Sequence, residues 1–169
     1  MILNSRDILE RGIIIPSEHS KEAQVGIDLS LGKVEKITGG SVVYKETTII
    51  NPDFFVDVET SRVDGRDCWI LEPGTYALSF NEGCSIPSNC TGLMLHRSSL
   101  YRTGTQIVSP VWDPGYRTEK MGTVMIVTVK LIVERNARVC QIIFHENNEV
   151  DKLYDGQFQG GTTGFEKAS

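Results

Sequence analysis

Short apolar and β-branched stretches recur along the chain, each closed by glycine, proline, asparagine or aspartate. The first half holds "GIII", "VGIDLSLG", "SVVYKETTII", "FFVDVET" and "CWILEPGTYALSF"; the second holds "CTGLMLH", "TQIVSPVWD", "TVMIVTVKLIV" and "RVCQIIF". Short runs rich in Val, Ile and Thr with such punctuation predict the strands of an all-β sandwich or barrel. One short helix is expected at "SRDILERG", with Ser5 as N-cap and Gly12 as stop. "LEPGTYAL" predicts a hairpin turning at Pro73-Gly74. "TVMIVTVKLIV" is close to continuously apolar, which predicts cover on both faces, by sandwich packing or by another subunit.

The 169 residues suit one domain with its own core. Against 22 acidic residues stand 17 basic ones, a net charge of −5, so no global basic field attracts nucleic acid; a few arginines can still hold a small anion. No apolar run approaches the roughly twenty residues of a membrane span. The opening "MILNSRDILERG" carries charges where a leader needs an apolar stretch, so a cytoplasmic protein without a membrane partner is expected. Cys68, Cys84, Cys90 and Cys140 show no CxxC spacing and read as reduced, packed thiols. His19, His96 and His145 are too scattered to suggest a metal cluster.

Three stretches carry candidate chemistry. In "HRSSL", Arg97, Ser98 and Ser99 offer a cationic fork, two hydroxyls and backbone N–H groups, a set suited to phosphate. The competing reading is a structural Arg97 paired with a carboxylate, and Ser98 capping a short helix "SSLYRTG". Asp113, beside Pro114-Gly115, is either turn chemistry or a base that positions water. Gln141, flanked by apolar residues, needs a specific partner if buried. The tail "YDGQFQGGTTGFEKAS" is Gly/Thr-rich with two isolated aromatics, Phe158 and Phe165. It reads as a frayed terminus or as an arm whose glycines approach phosphates while an aromatic caps a base.

The ordered set "VGIDLSLG", "HRSSLYRTG", "WDPGYR" and "RVCQIIF", with a Gly-rich end, resembles the dUTPase and dCTP deaminase superfamily. "MILNSRDI", "LEPGTYAL", "IPSNCTGLMLHRSSLYRTG" and "GQFQG" resemble the deaminase branch most. The resemblance implies a distorted β jelly-roll assembled as a homotrimer, with active sites between subunits. Residues 1–155 would form the β domain and 156–169 a flexible arm closing over a deoxyribonucleoside triphosphate. It further implies phosphate contacts from Ser98, Ser99, Arg102 and Gln141, a mixed role for Arg97, and a water-holding Asp113. The Tyr116 ring would lie against deoxyribose and exclude a 2′-hydroxyl. Gln106 could add an amide to base recognition, Phe158 would stack on the base, and Gln159 accompanies it in the tail. Asp28 would either approach Mg²⁺ through water or pair with an arginine.

Deamination in this superfamily uses a glutamate on the strand after the "DPG" hairpin. Counting from Gly122, that position here is Val127, which transfers no proton; Glu119, inside a lengthened hairpin, is the alternative acid. The expected activity is therefore Mg²⁺-assisted hydrolysis of dUTP to dUMP and pyrophosphate. The alternatives are a dCTP deaminase, alone or bifunctional, and a nucleotide-binding regulator without turnover.

Overall fold

The computed structural model describes residues 1–161, so Phe165 and the rest of the tail from 162 onward lie outside the described residues. Helix α1 (Ser5–Glu10) is followed by β1 (Ile14–Ile15), β2 (Lys21–Glu22) and the long β3 (Ile27–Ile37). Next come β4 (Val42–Val43), β5 (Thr48–Ile49), a 3-10 turn at Pro52–Phe54, β6 (Phe55–Asp57), β7 (Ser61–Val63) and β8 (Arg66–Leu71). β9 (Gly74–Phe80), β10 (Gly83–Ser85) and β11 (Cys90–His96) lead to a one-turn helix, α2 (Ser98–Tyr101). The described chain then forms β12 (Gln106–Val108), β13 (Arg117–Thr118), β14 (Gly122–Val127), β15 (Leu131–Glu134) and β16 (Arg138–Glu146).

The main sheet runs β11-β16-β3-β9-β14-β12, with β2 and β6 added along β3. β3 is its hinge, because its first half pairs with β16 and its second with β9. Gly92 on the edge strand β11 bridges Trp112, which follows the other edge strand β12, so the sheet comes close to closing on itself. Smaller sheets β1-β10-β13 and β15-β8-β7 accompany it. The interior is filled by fully buried Leu29, Leu31, Leu78, Phe80, Met121, Met125, Ile142 and Phe144. The expected all-β, distorted jelly-roll architecture with a short N-terminal helix is what the chain adopts.

Several local expectations need correction. Asn4, not Ser5, caps α1: its Oδ1 accepts from the Asp7 N–H at 2.9 Å, while the Ser5 hydroxyl donates to Glu22. Pro73-Gly74 does not close a hairpin. β8 pairs with β7 and β15, β9 with β3 and β14, so the turn carries the chain from one sheet to another. "TVMIVTVKLIV" is two strands, broken after Val127 because β14 joins the main sheet and β15 a small one. Among the described residues cover on both faces is not found: Met125 and Val127 are buried, whereas Ile126 and Ile132 are exposed. "SVVYKETTII" folds as the separate pair β4 and β5. Ser98 caps nothing with its side chain, since the N-cap of α2 is Arg97.

One buried carboxylate ties these layers together. Glu82 has no exposed surface, yet it makes no salt bridge among the described residues. Its oxygens accept from the hydroxyls of Ser17 (2.6 Å), Ser20 (2.8 Å) and Ser30 (2.7 Å) and from the Ser30 N–H (2.9 Å). Its backbone carbonyl accepts from the Met121 N–H at 2.7 Å. Four donors replace the lost water, which is how a carboxylate is tolerated without a counter-ion. Glu82→Ala leaves those donors unsatisfied and is expected to cost about 3 kcal/mol. A denaturant titration showing less than about 1 kcal/mol would mean that water fills the gap without penalty.

Candidate functional site

Two cavities collect most of the candidate residues. The first, about 510 Å³, is polar and bordered by Lys21, Gln24, Asp28, Arg97, Ser98 and Gln141. Register explains the convergence: on adjacent strands Lys21 faces Asp28, Asp28 faces Gln141, and Gln141 faces Leu95, two residues before Arg97. Arg97 Nε lies 3.0 Å from Asp28 Oδ2, and its Nη1 donates to the Arg138 carbonyl at 3.1 Å. The guanidinium is thus held from two sides, with its plane fixed at the cavity wall. Gln141 Nε2 donates to the Val25 carbonyl, fastening the loop before β3. Of the two readings for Asp28, the structure makes the arginine pair.

Asp28 is only 5% exposed. Burial pushes its carboxyl above the ordinary value of 3.8, and the Arg97, Arg138 and Lys21 charges pull it back only partly. No group of three or more His, Cys, Asp or Glu side chains able to hold a metal is found among the described residues.

The second cavity, about 360 Å³, is mainly apolar and aromatic, with Asp113 among its lining residues. Pro110, Trp112, Tyr116, Tyr154 and Phe158 line it, and Ile50 reaches in from the β4–β5 excursion. The Tyr116 ring meets Trp112 edge-on at 5.5 Å and Tyr154 at 5.1 Å, so its face is set by packing. Burial, aided by the neighbouring Cys84, pushes the Tyr116 hydroxyl up to about 12 and keeps it protonated. Gly92 permits this arrangement: a Cβ there would stand 2.9 Å from the Trp112 Cβ. Gly115 is needed twice over, having a φ of +87° and Leu153 where a side chain would go.

The start of the tail seats on this same hairpin. Gln159 Oε1 accepts from the Arg117 N–H at 2.9 Å, and its Nε2 donates to the Gly115 carbonyl at 2.8 Å. Gly161 bridges Thr118. Gln159 therefore binds the hairpin backbone, which brings half-buried Phe158 to the cavity.

Ser99, Arg102 and Gln106 are exposed and border neither cavity within one chain. Glu119 is exposed, borders neither cavity, and its N–H donates to Gly161. Val127 is 2% exposed and packed in the core. Sequence reasoning missed Lys21, Gln24, Ile50 and Tyr154; Lys21 and Gln24 left a trace, their place in a polar stretch before "VGIDL". The two cavities lie toward opposite ends of β11. Trp112 pairs at Gly92, and Arg97 stands five residues further along, just past His96, which puts about 17 Å of extended chain between them.

A cation-lined hollow and an aromatic hollow on one jelly-roll are the two surfaces that a phosphorylated aromatic ligand requires. The chain belongs to the dCTP deaminase-like family, whose model matches residues 3–147. It is similar to the probable deoxyuridine 5′-triphosphate nucleotidohydrolase of Aeropyrum pernix, 30% identical over 162 residues, 95% of this chain and 98% of that protein. The deoxyuridine 5′-triphosphate nucleotidohydrolase of Methanocaldococcus jannaschii is 32% identical over 145 residues, 85% of this chain and 90% of its own. Among solved structures, the 2′-deoxycytidine 5′-triphosphate deaminase of Agrobacterium tumefaciens aligns with a TM-score of 0.62 at 17% identity. That match covers 86% of this chain but 48% of the deaminase, so the chain spans about half its length. The likeness is one of fold. No helix among the described residues is long and apolar enough to cross a membrane.

Asp28 binds its proton more readily in the folded chain than in the unfolded one. Its contribution to stability is therefore fully present below about pH 3.8 and fades as pH rises through the raised native value. The stability of the wild type minus that of Asp28→Asn is expected to increase on acidification, read from denaturant titrations at neutral pH and near pH 4. A flat or opposite trend would mean that Arg97, not burial, governs this carboxyl.

Proposed function

We propose that the chain hydrolyses dUTP to dUMP and pyrophosphate as a Mg²⁺-dependent homotrimer. The observation that carries this reading is the contrast between Asp113, which borders an aromatic cavity, and Val127, buried where the deaminase branch would have its proton-shuttling glutamate. Exposed Glu119, tied through its N–H to Gly161, offers no replacement at either cavity. The names of the archaeal relatives agree with a phosphoanhydride hydrolase.

In this reading the polar cavity takes the phosphates. Arg97 and Ser98 supply charge and hydrogen bonds there, and Gln141 and Lys21 complete its wall. The aromatic cavity takes the nucleoside, with Tyr116 against the sugar and Phe158 over the base. Asp113 accepts a proton from the attacking water and holds it in line with the α-phosphorus, so one positioned carboxylate suffices. A hard cation carried mainly by substrate phosphates needs only one or two protein carboxylates, and Asp28 and Glu22 at the polar cavity fit that demand. Mg²⁺ would neutralise the phosphate charge there; Asp28 keeps its pair with Arg97 and would meet the ion only through water.

The separation of the cavities supports assembly. Asp113 must reach a water at the α-phosphate, whereas Arg97 of the same chain stands about 17 Å of extended chain beyond Gly92, the residue that Trp112 pairs with. A second copy can bring its polar cavity to this hairpin. Leu93 and Leu95 on β11, Val108 on β12 and Ile126 on β14 are exposed apolar side chains suited to such a contact. Ser99, Arg102 and Gln106 are then assigned to nucleotide contacts across the subunit boundary.

Purified protein with Mg²⁺ is expected to convert dUTP to dUMP and to release no ammonia from dCTP, followed by chromatography and an ammonia assay. Asp113→Asn should lower turnover by at least about a thousandfold while nucleotide affinity changes little. Ammonia from dCTP would sink the hydrolase reading in favour of deamination, and tight binding without product would make the protein a nucleotide-responsive regulator. Leu95→Glu is expected to convert a trimeric mass to a monomeric one in light scattering and to abolish turnover. An unaltered trimer would remove this face from the interface.

A further inference from the structure

After β3 the chain leaves the barrel for residues 38–54 and returns as β6. The neck of this excursion is clamped: the Thr38 N–H donates to the Phe54 carbonyl at 2.8 Å, and the Thr38 hydroxyl reaches the same oxygen at 3.2 Å. Inside it, β4 and β5 pair only with each other, Val42 facing Ile49 and Val43 facing Thr48. Its apolar side chains divide sharply. Val42, Val43, Tyr44 and Ile49 are exposed, Val43 to 78%, whereas Ile50 is half-buried. Ile50 borders the cavity that holds Asp113, Trp112, Tyr116 and Phe158. The next residue fixes its position, since Asn51 Oδ1 caps the Pro52–Phe54 turn through the Asp53 N–H at 3.0 Å.

An aliphatic group facing aromatic rings across a cavity of this size provides the second wall for a flat ring or a sugar face. We propose that Ile50 is a specificity-determining residue, forming the apolar wall against the nucleoside end of the bound nucleotide. The proposal rests on the reading that the aromatic cavity takes that end. Ile50 borders the aromatic cavity and is not among the residues bordering the polar one, so its effect falls on the nucleoside and leaves the phosphates alone. A hydrophobic wall of this kind discriminates by fit and desolvation, and a charge placed there disfavours any base or sugar pressed against it.

The test uses the full chain and calorimetric binding of two probes, α,β-imido-dUTP and pyrophosphate. Ile50→Asp is expected to weaken the dUTP analogue by about tenfold or more and to leave pyrophosphate within about twofold; Ile50→Ala should show the same split at smaller size. Val43→Asp, on the outward side of the same excursion, should bind both probes as the wild type does, which separates a wall from a general loosening of the hairpin. Unchanged analogue affinity in both Ile50 variants, equal losses for Val43→Asp, or parallel losses for the two probes would each overturn the proposal. If the wild type prefers α,β-imido-dCTP, the dUTP reading fails and Ile50 is judged by the same split with that probe. If pyrophosphate binds but neither nucleotide analogue gains over it, the aromatic cavity is no nucleoside site and the proposal falls with it.

Discussion

The fold is organised around a negative charge in a place without water. Glu82 draws the Ser17–Ser20 loop, the middle of β3 and the strand leading into β10 to a single carboxylate. Through its backbone it also holds Met121 at the foot of β14. The loop it captures runs directly into β2, which carries Lys21 to the polar cavity. Ser30, which it captures from β3, lies opposite Arg138, whose carbonyl orients Arg97. A buried carboxylate that borders neither of the two cavities is thus connected to the segments that carry two cations. Hydroxyl donors suit this task better than a lysine, because they satisfy the acid without adding a charge to the neighbourhood of Asp28 and Arg97.

Strand content was legible because β-branched, half-buried segments announce themselves locally. Pairing was not. Pro73-Gly74 has every mark of a hairpin turn, yet β8 and β9 belong to different sheets; that choice lies in long-range pairing, β8 with β7 and β15 and β9 with β3 and β14, while both bury side chains in one core. The apolar run from Thr123 to Val133 likewise hides a break, since nothing between Thr128 and Lys130 is a strong turn former. Asn4 displaced Ser5 as helix cap by one position, the usual margin when two capping residues adjoin.

The site was legible to the degree that its residues sit in compact motifs. Arg97, Ser98, Asp28 and Gln141 converge because β3 and β16 set Asp28 opposite Gln141, and β11, whose Leu95 faces Gln141, ends just before Arg97 and Ser98; a motif in each segment records this. Lys21 comes from a strand of two residues and Ile50 from a detour, and neither has a local pattern that points to a cavity. Gln159 shows a different gap between sequence and structure. Among the described residues its amide hydrogen-bonds backbone atoms alone, those of Gly115, Tyr154 and Arg117, a seating that side-chain patterns do not record.

The excursion that carries Ile50 shares no ladder with the barrel and is joined to it at the Thr38–Phe54 neck. Changes in its length or side chains can therefore accumulate without disturbing the register of β3, β9 or β16. Evolution can then vary the chemistry facing one side of a cavity while the barrel keeps its folding cooperativity. Diversification of ligand choice on this scaffold is thereby uncoupled from selection for thermodynamic stability.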